Sequence, residues 1–341
     1  MERTKFYKIA ESLDKLMTLD IPARGIIDAL YQAARNRQQK PLTMAAVELL
    51  MSAIKPGDPV IIATGWIDQP LVAPGCGESD GPPGTVALAR ALRLALKATP
   101  IIVTDQCLVP GIKQICRAAG FQCVEPEQLI YSVQKNKLMT ISVLPFPEAR
   151  QDAREEAQRM LELIRPAVCI AIERGGMNQA EKIHNMAGFD TSDTMAKIDY
   201  LFQQAGAKAI PTLAIGDGGN EIGMANIADE VRKNIPYGDA CQCPCGLGIA
   251  PATPVDVLVT AAISNWGAYA VAALLALVTG HLQAIHDSEK EKRTLEATAA
   301  AGFHDPIQGA VVPSVDGCLD EIHLSMVTLM REAVLRGSER Y

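Results

Sequence analysis

The sequence predicts an α/β fold: a mostly parallel, doubly wound (Rossmann-like) sheet with helices on both faces and an N-terminal helical segment. Two observations carry that prediction. Short β-rich apolar runs alternate with amphipathic stretches along most of the chain, as expected of strands covered on both faces by crossover helices. The ends of those runs also share one chemical character, finishing in Gly, hydroxyl, amide or acidic residues. Open α/β sheets bind ligands outside the carboxyl ends of their strands.

The elements follow in order. Helical spacing runs through Ile9, Leu13, Leu16 and Met17, then Ile26, Ile27 and Leu30, then Met44, Val47, Leu50 and Met51, with Pro22 and Pro41 as punctuation. Residues 1–55 therefore read as a helical segment packed on an α/β unit of residues 56–341. A strand at 60–64 leads through a long loop to a helix at 85–96. A strand at 101–104 precedes a helix at 112–119, and one at 140–144 precedes a helix at 153–164. Strands at 168–172 and 212–215 follow, with a helix at 194–204 between them. A strand at 257–263 then turns at Ser264-Asn265 into a helix at 268–278.

Composition narrows the function classes. At 341 residues the chain exceeds the roughly 250–300 at which single cores stop growing. Lys plus Arg number 32 against 39 for Asp plus Glu, a net charge of −7, so the basic footprint of a nucleic-acid binder is missing. Residues 257–280 carry no charge and are long enough to span a bilayer, but Ser264, Asn265 and Gly267 divide them, so no membrane span is expected. The nine cysteines are an odd number, and the charged start is no secretory leader. Reduced thiols in a cytoplasmic protein are the expectation.

Four segments could carry chemistry. In 216–224, GDGGNEIGM, Gly216, Gly218 and Gly219 permit a tight turn and close approach to a ligand. A helix is expected to open at Asn220 and Glu221, with an N-terminus suited to anions. Asp217 and Glu221 are hard oxygen ligands for Mg²⁺ or Mn²⁺. The spacing fits neither the dinucleotide fingerprint nor a P-loop; the bland alternative is an acidic helix cap. In 78–84, Glu78 and Asp80 sit on a stiff turn with Gly81 and Gly84 that otherwise serves as helix entry. Glu173 and Arg174 end an apolar strand, offering a metal or substrate contact or a simple ion pair. His304-Asp305 and Ser314–Gly317 are acidic turns that could close over the cleft.

Two groups read less favourably. Cys241, Cys243 and Cys245 form C-x-C-x-C without a second pair and without a nearby His, which is no standard zinc or iron–sulfur spacing. The five histidines are scattered and define no catalytic triad.

With these blocks in order, ESDGPPGTVALARAL, ERGGMNQAEKIHNMAGFDTS, IGDGGNEIGMANI, ISNWGAYAVAALL and SVDG, the chain resembles the D-glutamate cyclase-like C-terminal domain family over about residues 30–335. That resemblance implies cyclisation of D-glutamate to 5-oxo-D-proline with loss of water. On the residues, Asp217, Glu221 and Glu173 are the expected catalytic groups, and with Asp80 they would hold a divalent Mg or Mn ion. Asp80, Gly81, Gly84, Arg174, Gly218, Gly219, Asn220 and Asn265 are the expected substrate contacts. The same acidic cleft leaves open a metal-dependent phosphatase, or a non-catalytic ligand-binding module. The expected partner is a small molecule, with room left for a homo-oligomer.

Overall fold

The structure is a computed structural model that describes residues 2–135 and 138–339. Among them, β1 (Pro59–Thr64), β2 (Thr99–Asp105), β3 (Gln122–Cys123), β4 (Thr140–Phe146), β5 (Val168–Ile172), β6 (Thr212–Gly216) and β7 (Val257–Thr260) build one sheet. All of its pairings are parallel, in the order β3-β4-β2-β1-β5-β6-β7. The predicted α/β fold is thus present, and the runs are apolar because β2, β5 and β6 are buried throughout.

The strand order reverses at β1. The chain leaves β1 toward β2, β4 and β3, then returns to lay β5 along the other side of β1. Helices on the two faces cannot both cover the gap above such a reversal, so a crevice opens there between the carboxyl ends of β1 and β5.

Around the sheet lie α1 (Glu2–Met17), α2 (Ile27–Gln38), α3 (Leu42–Ala53), α4 (Pro82–Ala91), α5 (Val109–Ala118) and α6 (Pro126–Lys135). They are followed by α7 (Arg150–Ile164), α8 (Asp199–Ala207), α9 (Ala228–Asn234), α10 (Ser264–Val278), α11 (Ser288–Ala300) and α12 (Asp320–Glu339). A short hairpin, β8 (Ser314–Val315) with β9 (Cys318–Leu319), precedes the last helix. The first three helices share the hydrophobic core with the sheet: α1 and α3 pack on α10, and α2 and α3 on β7. Buried Asp14 of α1 fastens them. Its carboxylate accepts from the backbone N–H of Leu42 (2.7 Å) and Thr43 (3.1 Å) and from Tyr31 Oη (2.9 Å), supplying α3 with an N-cap from another helix.

Several expected boundaries shift, among them the helix expected at 194–204, which is Asp199–Ala207. The strand at 257 ends at Thr260, and Ser264-Asn265 is the first turn of α10 rather than a break before residue 268. Asp80, distant in sequence, accepts both of their backbone N–H groups and makes a helix start where the local residues alone suggest a turn. No helix among the described residues is long and apolar enough to cross a membrane.

Candidate active site: an acidic cleft at the strand ends

The turn after β6 is folded around its own acid. Glu221 Oε1 accepts from the backbone N–H of Asp217 (2.8 Å) and Gly218 (2.6 Å), and Oε2 from Gly219 (2.7 Å). The glycines are needed for that wrap: Gly219 has φ +103°, and a Cβ on Gly216 would meet Glu221 Cδ at 3.0 Å. The helix expected to open at Asn220 is absent. Ile222 N–H instead donates to Arg174 O (2.8 Å), Gly176 N–H to Asn220 O (2.9 Å), and after a 3₁₀ turn at Met224–Ile227 the α-helix begins only at Ala228. Pairing with the chain after β5 takes the backbone groups a helix would need, so the anion-binding N-terminus predicted here does not form.

A second interlock sets the opposite side. Asp80 Oδ1 and Oδ2 cap α10, while Asn265 Oδ1 at the start of α10 accepts from Gly81 N–H (3.1 Å) and Gly84 N–H (2.6 Å), capping α4. Two helices thereby cap each other, and the close approach of their N-termini explains why the sequence is glycine-rich there. Ser264 Oγ donates to Glu173 Oε2 at 2.6 Å, which aims the Glu173 carboxylate into the space between the two caps.

The result is a cavity of about 130 Å³ lined by Glu78, Glu173, Asp217 and Asp316, with Arg24, Gly218, Asn220, Trp66 and Ile307 among its walls. That is well below the roughly 300–1,000 Å³ of drug-sized pockets. Asp217 is the hub. One of its oxygens lies within 4.8 Å of carboxylate oxygens of Asp80 and Asp316, and it belongs equally to a set with Glu173 and Glu221.

So many buried acids cannot all be ionised unaided. Burial first, then the Asp217, Glu221 and Asp80 charges, push Glu173 well above the usual carboxylate range. Burial and Asp217 do the same to Asp80, and burial, Asp316 and Asp80 to Glu78. Asp217 is raised by burial despite the opposing pull of Arg24. Asp316 is pushed up to about 7 by burial and Asp80, again with Arg24 working against it. These groups stand ready either to hold protons or to hold a cation.

The expected residues divide on placement. Asp217, Glu173, Gly218 and Asn220 line the cleft. Asp80, Glu221, Gly81, Gly84, Gly219 and Asn265 form the scaffold around it, with their polar groups engaged by backbone. Arg174 does not join the cleft. It is fully buried, forked onto Asp105, and it donates to the Gly65 carbonyl (2.6 Å) and the Ala196 carbonyl (2.7 Å).

Sequence reasoning missed the principal cation of the site. Arg24, between α1 and α2, reaches over β7: Nη2 lies 2.9 Å from Asp217 Oδ2 and donates to the Ala262 carbonyl at 2.7 Å, and Nη1 lies 3.5 Å from Asp316. Burial opposes its charge, but Asp217 and Asp316 outweigh that and hold it protonated. Asp20 shapes the turn that presents it, accepting from the N–H of Arg24 (3.0 Å) and Gly25 (2.6 Å). The Asp20–Gly25 cluster was a visible signal for a turn, though not for its destination. Asp316, noted only as part of a possible closing turn, arrives on the loop before α12. There Asp305 organises the backbone through Ser314 Oγ (2.7 Å) and Gly317 N–H (2.8 Å).

A doubly wound sheet with an acidic cleft at its switch point defines the class as an α/β protein. Residues 13–331 match the profile of the family described as D-glutamate cyclase-like, C-terminal, and the chain belongs to that family. It is also 31% identical, over 207 residues, to human mitochondrial D-glutamate cyclase. That alignment covers 58% of this chain and 29% of the human protein, so the chain spans less than a third of that relative.

Proposed function

We propose that the chain is a D-glutamate cyclase-type lyase that closes D-glutamate to 5-oxo-D-proline and water in the cleft around Asp217. The observation that carries this reading is a buried set of carboxylates with raised proton affinity in a cavity sized for a small amino acid. The family membership supports D-glutamate as the substrate.

The chemistry asks for a proton relay. The amine nitrogen attacks the side-chain carboxyl carbon, one C–O bond breaks and a C–N bond forms. The substrate ammonium gives up two protons, and the departing oxygen takes two to leave as water. Asp217 and Glu173, crowded and desolvated, accept the ammonium protons. Asp316, poised near neutrality, passes one proton to the departing oxygen, Glu173 returns its proton as the second so that water leaves, and Asp217 hands its proton back to Asp316. Arg24 draws the Asp217 and Asp316 carboxylates together and keeps the pair from repelling each other. Glu221 acts through the turn it holds, fixing where Asp217 points. Asn220 lines the same wall and offers its amide near the substrate.

The donor set also fits a hard divalent cation such as Mg²⁺ or Mn²⁺, since all its atoms are carboxylate oxygens. Asp217 with Asp80 and Asp316, or with Glu173 and Glu221, would hold it. When bound, such an ion polarises a carboxyl group as a Lewis acid. The phosphatase alternative keeps the acidic cluster but loses one of its supports, because the turn N–H groups that would have met phosphate are taken by Glu221.

Purified protein incubated with D-glutamate, with and without Mg²⁺ or Mn²⁺, should form 5-oxo-D-proline measurable by chiral chromatography. Product no higher than in the protein-free blank under every condition would overturn the assignment.

A further inference from the structure

A second cluster of a different chemical kind lies behind the cleft wall. The loop between α9 and β7 carries Cys241, Cys243 and Cys245, and the structure brings His184 to them from the loop after β5. The expectation that no histidine accompanies these thiols is thus corrected. His184 is 59 residues before Cys243, and the crossover that brings it there leaves no local spacing to read.

The distances bring four soft ligand atoms around one point. Cys241 Sγ lies 3.5 Å from Cys243 Sγ and 3.3 Å from Cys245 Sγ. His184 Nε2 lies 3.2 Å from Cys243 Sγ and 3.8 Å from Cys245 Sγ. The four ligand atoms all fall within 4.8 Å of one another. Zinc bonds of about 2.3 Å to sulfur and 2.0–2.1 Å to nitrogen give tetrahedral edges of roughly 3.5–3.8 Å, and binding would need the thiols to open by only a few tenths of an ångström. A disulfide needs about 2.05 Å between sulfurs, far shorter than either pair. Three hydrogen-bonding thiols and an imidazole would be a weak contact set among themselves, whereas around one ion they form a closed Cys₃His shell.

We propose that His184, Cys241, Cys243 and Cys245 hold a structural zinc ion that pins the back of the acidic cleft. Soft thiolates with one imidazole select zinc over the hard cations suited to the oxygen cluster. The four ligands fill a tetrahedral shell, so the site is closed and leaves no open position for substrate. Its surroundings are built to hold it. Asn178 Nδ2 donates to Gly248 O at 2.8 Å and approaches Cys245 Sγ at 3.5 Å. Gln242 is sewn to the His184 loop through N–H to Gly188 O (2.8 Å) and Nε2 to Ala187 O (2.7 Å). Gly248 has φ +71° and packs against the Gly238 carbonyl, where a side chain has no room. The connection to the cleft is direct. Asn220 Nδ2 donates to the His184 backbone carbonyl at 2.8 Å, and Asn185 and Met186, next in sequence, line the cavity. An ion here therefore fixes the wall from which Asn220 faces substrate.

Elemental analysis of the intact chain, expressed in zinc-supplemented medium and purified under reducing conditions, should find zinc at one per chain. A mercurial reagent should release it as thiols are titrated. Replacing zinc by cobalt(II) should give the thiolate charge-transfer and intense ligand-field absorption of a tetrahedral site. Cys243→Ser and Cys245→Ser should lose the metal, while Cys243→His, which keeps a ligand, should retain it. Asp217→Asn should leave zinc content unchanged, which separates this site from the oxygen cluster whatever the cleft's reaction proves to be. Three results would overturn the proposal: purified wild type that neither contains zinc nor takes up cobalt, zinc lost with Asp217→Asn but kept in the serine variants, or a Cys241–Cys245 disulfide found in the protein by mass spectrometry.

Discussion

The acidic cleft and the thiol–imidazole cluster sit on two sides of one loop and solve opposite problems. In the cleft, Asp217 is shared between two sets of buried carboxylates, and Arg24 is the cation that reaches them. The charges are left in partial conflict, and conflict of this kind raises the proton affinity of the carboxyls and leaves a cation welcome. In the thiol cluster each ligand atom has a place in one closed shell, with backbone and amide donors around it. The cleft gathers charges that oppose one another; the cluster gathers ligand atoms that suit one another. Active sites commonly carry such unfavourable electrostatics at a cost in stability, and a rigid neighbour is one way to keep the wall of a frustrated site from relaxing.

The largest expected effect tests the cleft half of that contrast. Asp217→Asn removes the hub carboxylate and nearly its whole chemistry at almost no change in shape. Cyclase activity should fall by a factor of roughly 10²–10⁴, the usual worth of a positioned acid or base. Thermal unfolding above neutral pH should at the same time hold steady or rise, because repulsion with Asp316 and Glu173 is relieved. A variant that loses activity only in proportion to lost folded protein would show that Asp217 is a structural residue and that the cleft is not frustrated.

Next in size is Arg24→Gln, which takes away the cation holding Asp217 and Asp316 together. Cyclase kcat/KM should drop roughly 10–100-fold, as for residues that orient a ligand set. The pH profile should move toward higher pH, since the carboxylates lose the charge that favours their ionised form. Unchanged kinetics would detach the N-terminal segment from the reaction.

The pH dependence of stability then reads the conflict directly. Asp316 has a folded-state pKa of about 7, above the 3.8 of the unfolded chain, and Glu78, Asp80, Glu173 and Asp217 shift in the same direction. For an acid with a raised folded pKa, the native state binds more protons between the two values. Stability is therefore full below about pH 4 for this contribution and lost as pH rises through 7. The melting temperature should fall between pH 5.5 and 8 in the presence of chelator, and Mg²⁺ or Mn²⁺ should restore more of it at pH 8 than at pH 5.5. A melting temperature flat across that range would mean the carboxylates are compensated already.

The two regions also differ in how far the sequence reveals them. GDGGNEIGM and the polar strand ends mark the cleft because turn glycines and strand-end acids lie together in the chain, and the parallel sheet gathers its strand ends by construction. Asp217 and Glu173 are legible for that reason. Arg24, Asp316 and His184 are not, since each arrives on a loop whose direction depends on packing between elements far apart in sequence. Asp80 and Asn265 are legible as polar residues at helix starts, but their reciprocal capping is a tertiary fact. Arg174 misleads for the converse reason: an arginine at a strand end looks available until Asp105 and two carbonyls are found to occupy it. The thiol cluster is half legible, three ligands in five residues, with the fourth hidden by the fold.

The smallest expected effect probes whether the cluster really steadies the cleft. Asn220 touches both, lining the cavity while its Nδ2 supports the His184 carbonyl. Asn220→Ala leaves that buried carbonyl without its partner, a loss of about 1–3 kcal/mol. Because the mutation unfastens the wall without touching Asp217 or any thiol, it should raise KM for D-glutamate more than it lowers kcat. It should also quicken zinc release to a chelator. The same KM change should appear in wild-type protein stripped of zinc, and stripping zinc from Asn220→Ala should add little to it, since both perturbations loosen one element. Additive effects would show that the two clusters are neighbours without being coupled, and the contrast between them would then be one of composition alone.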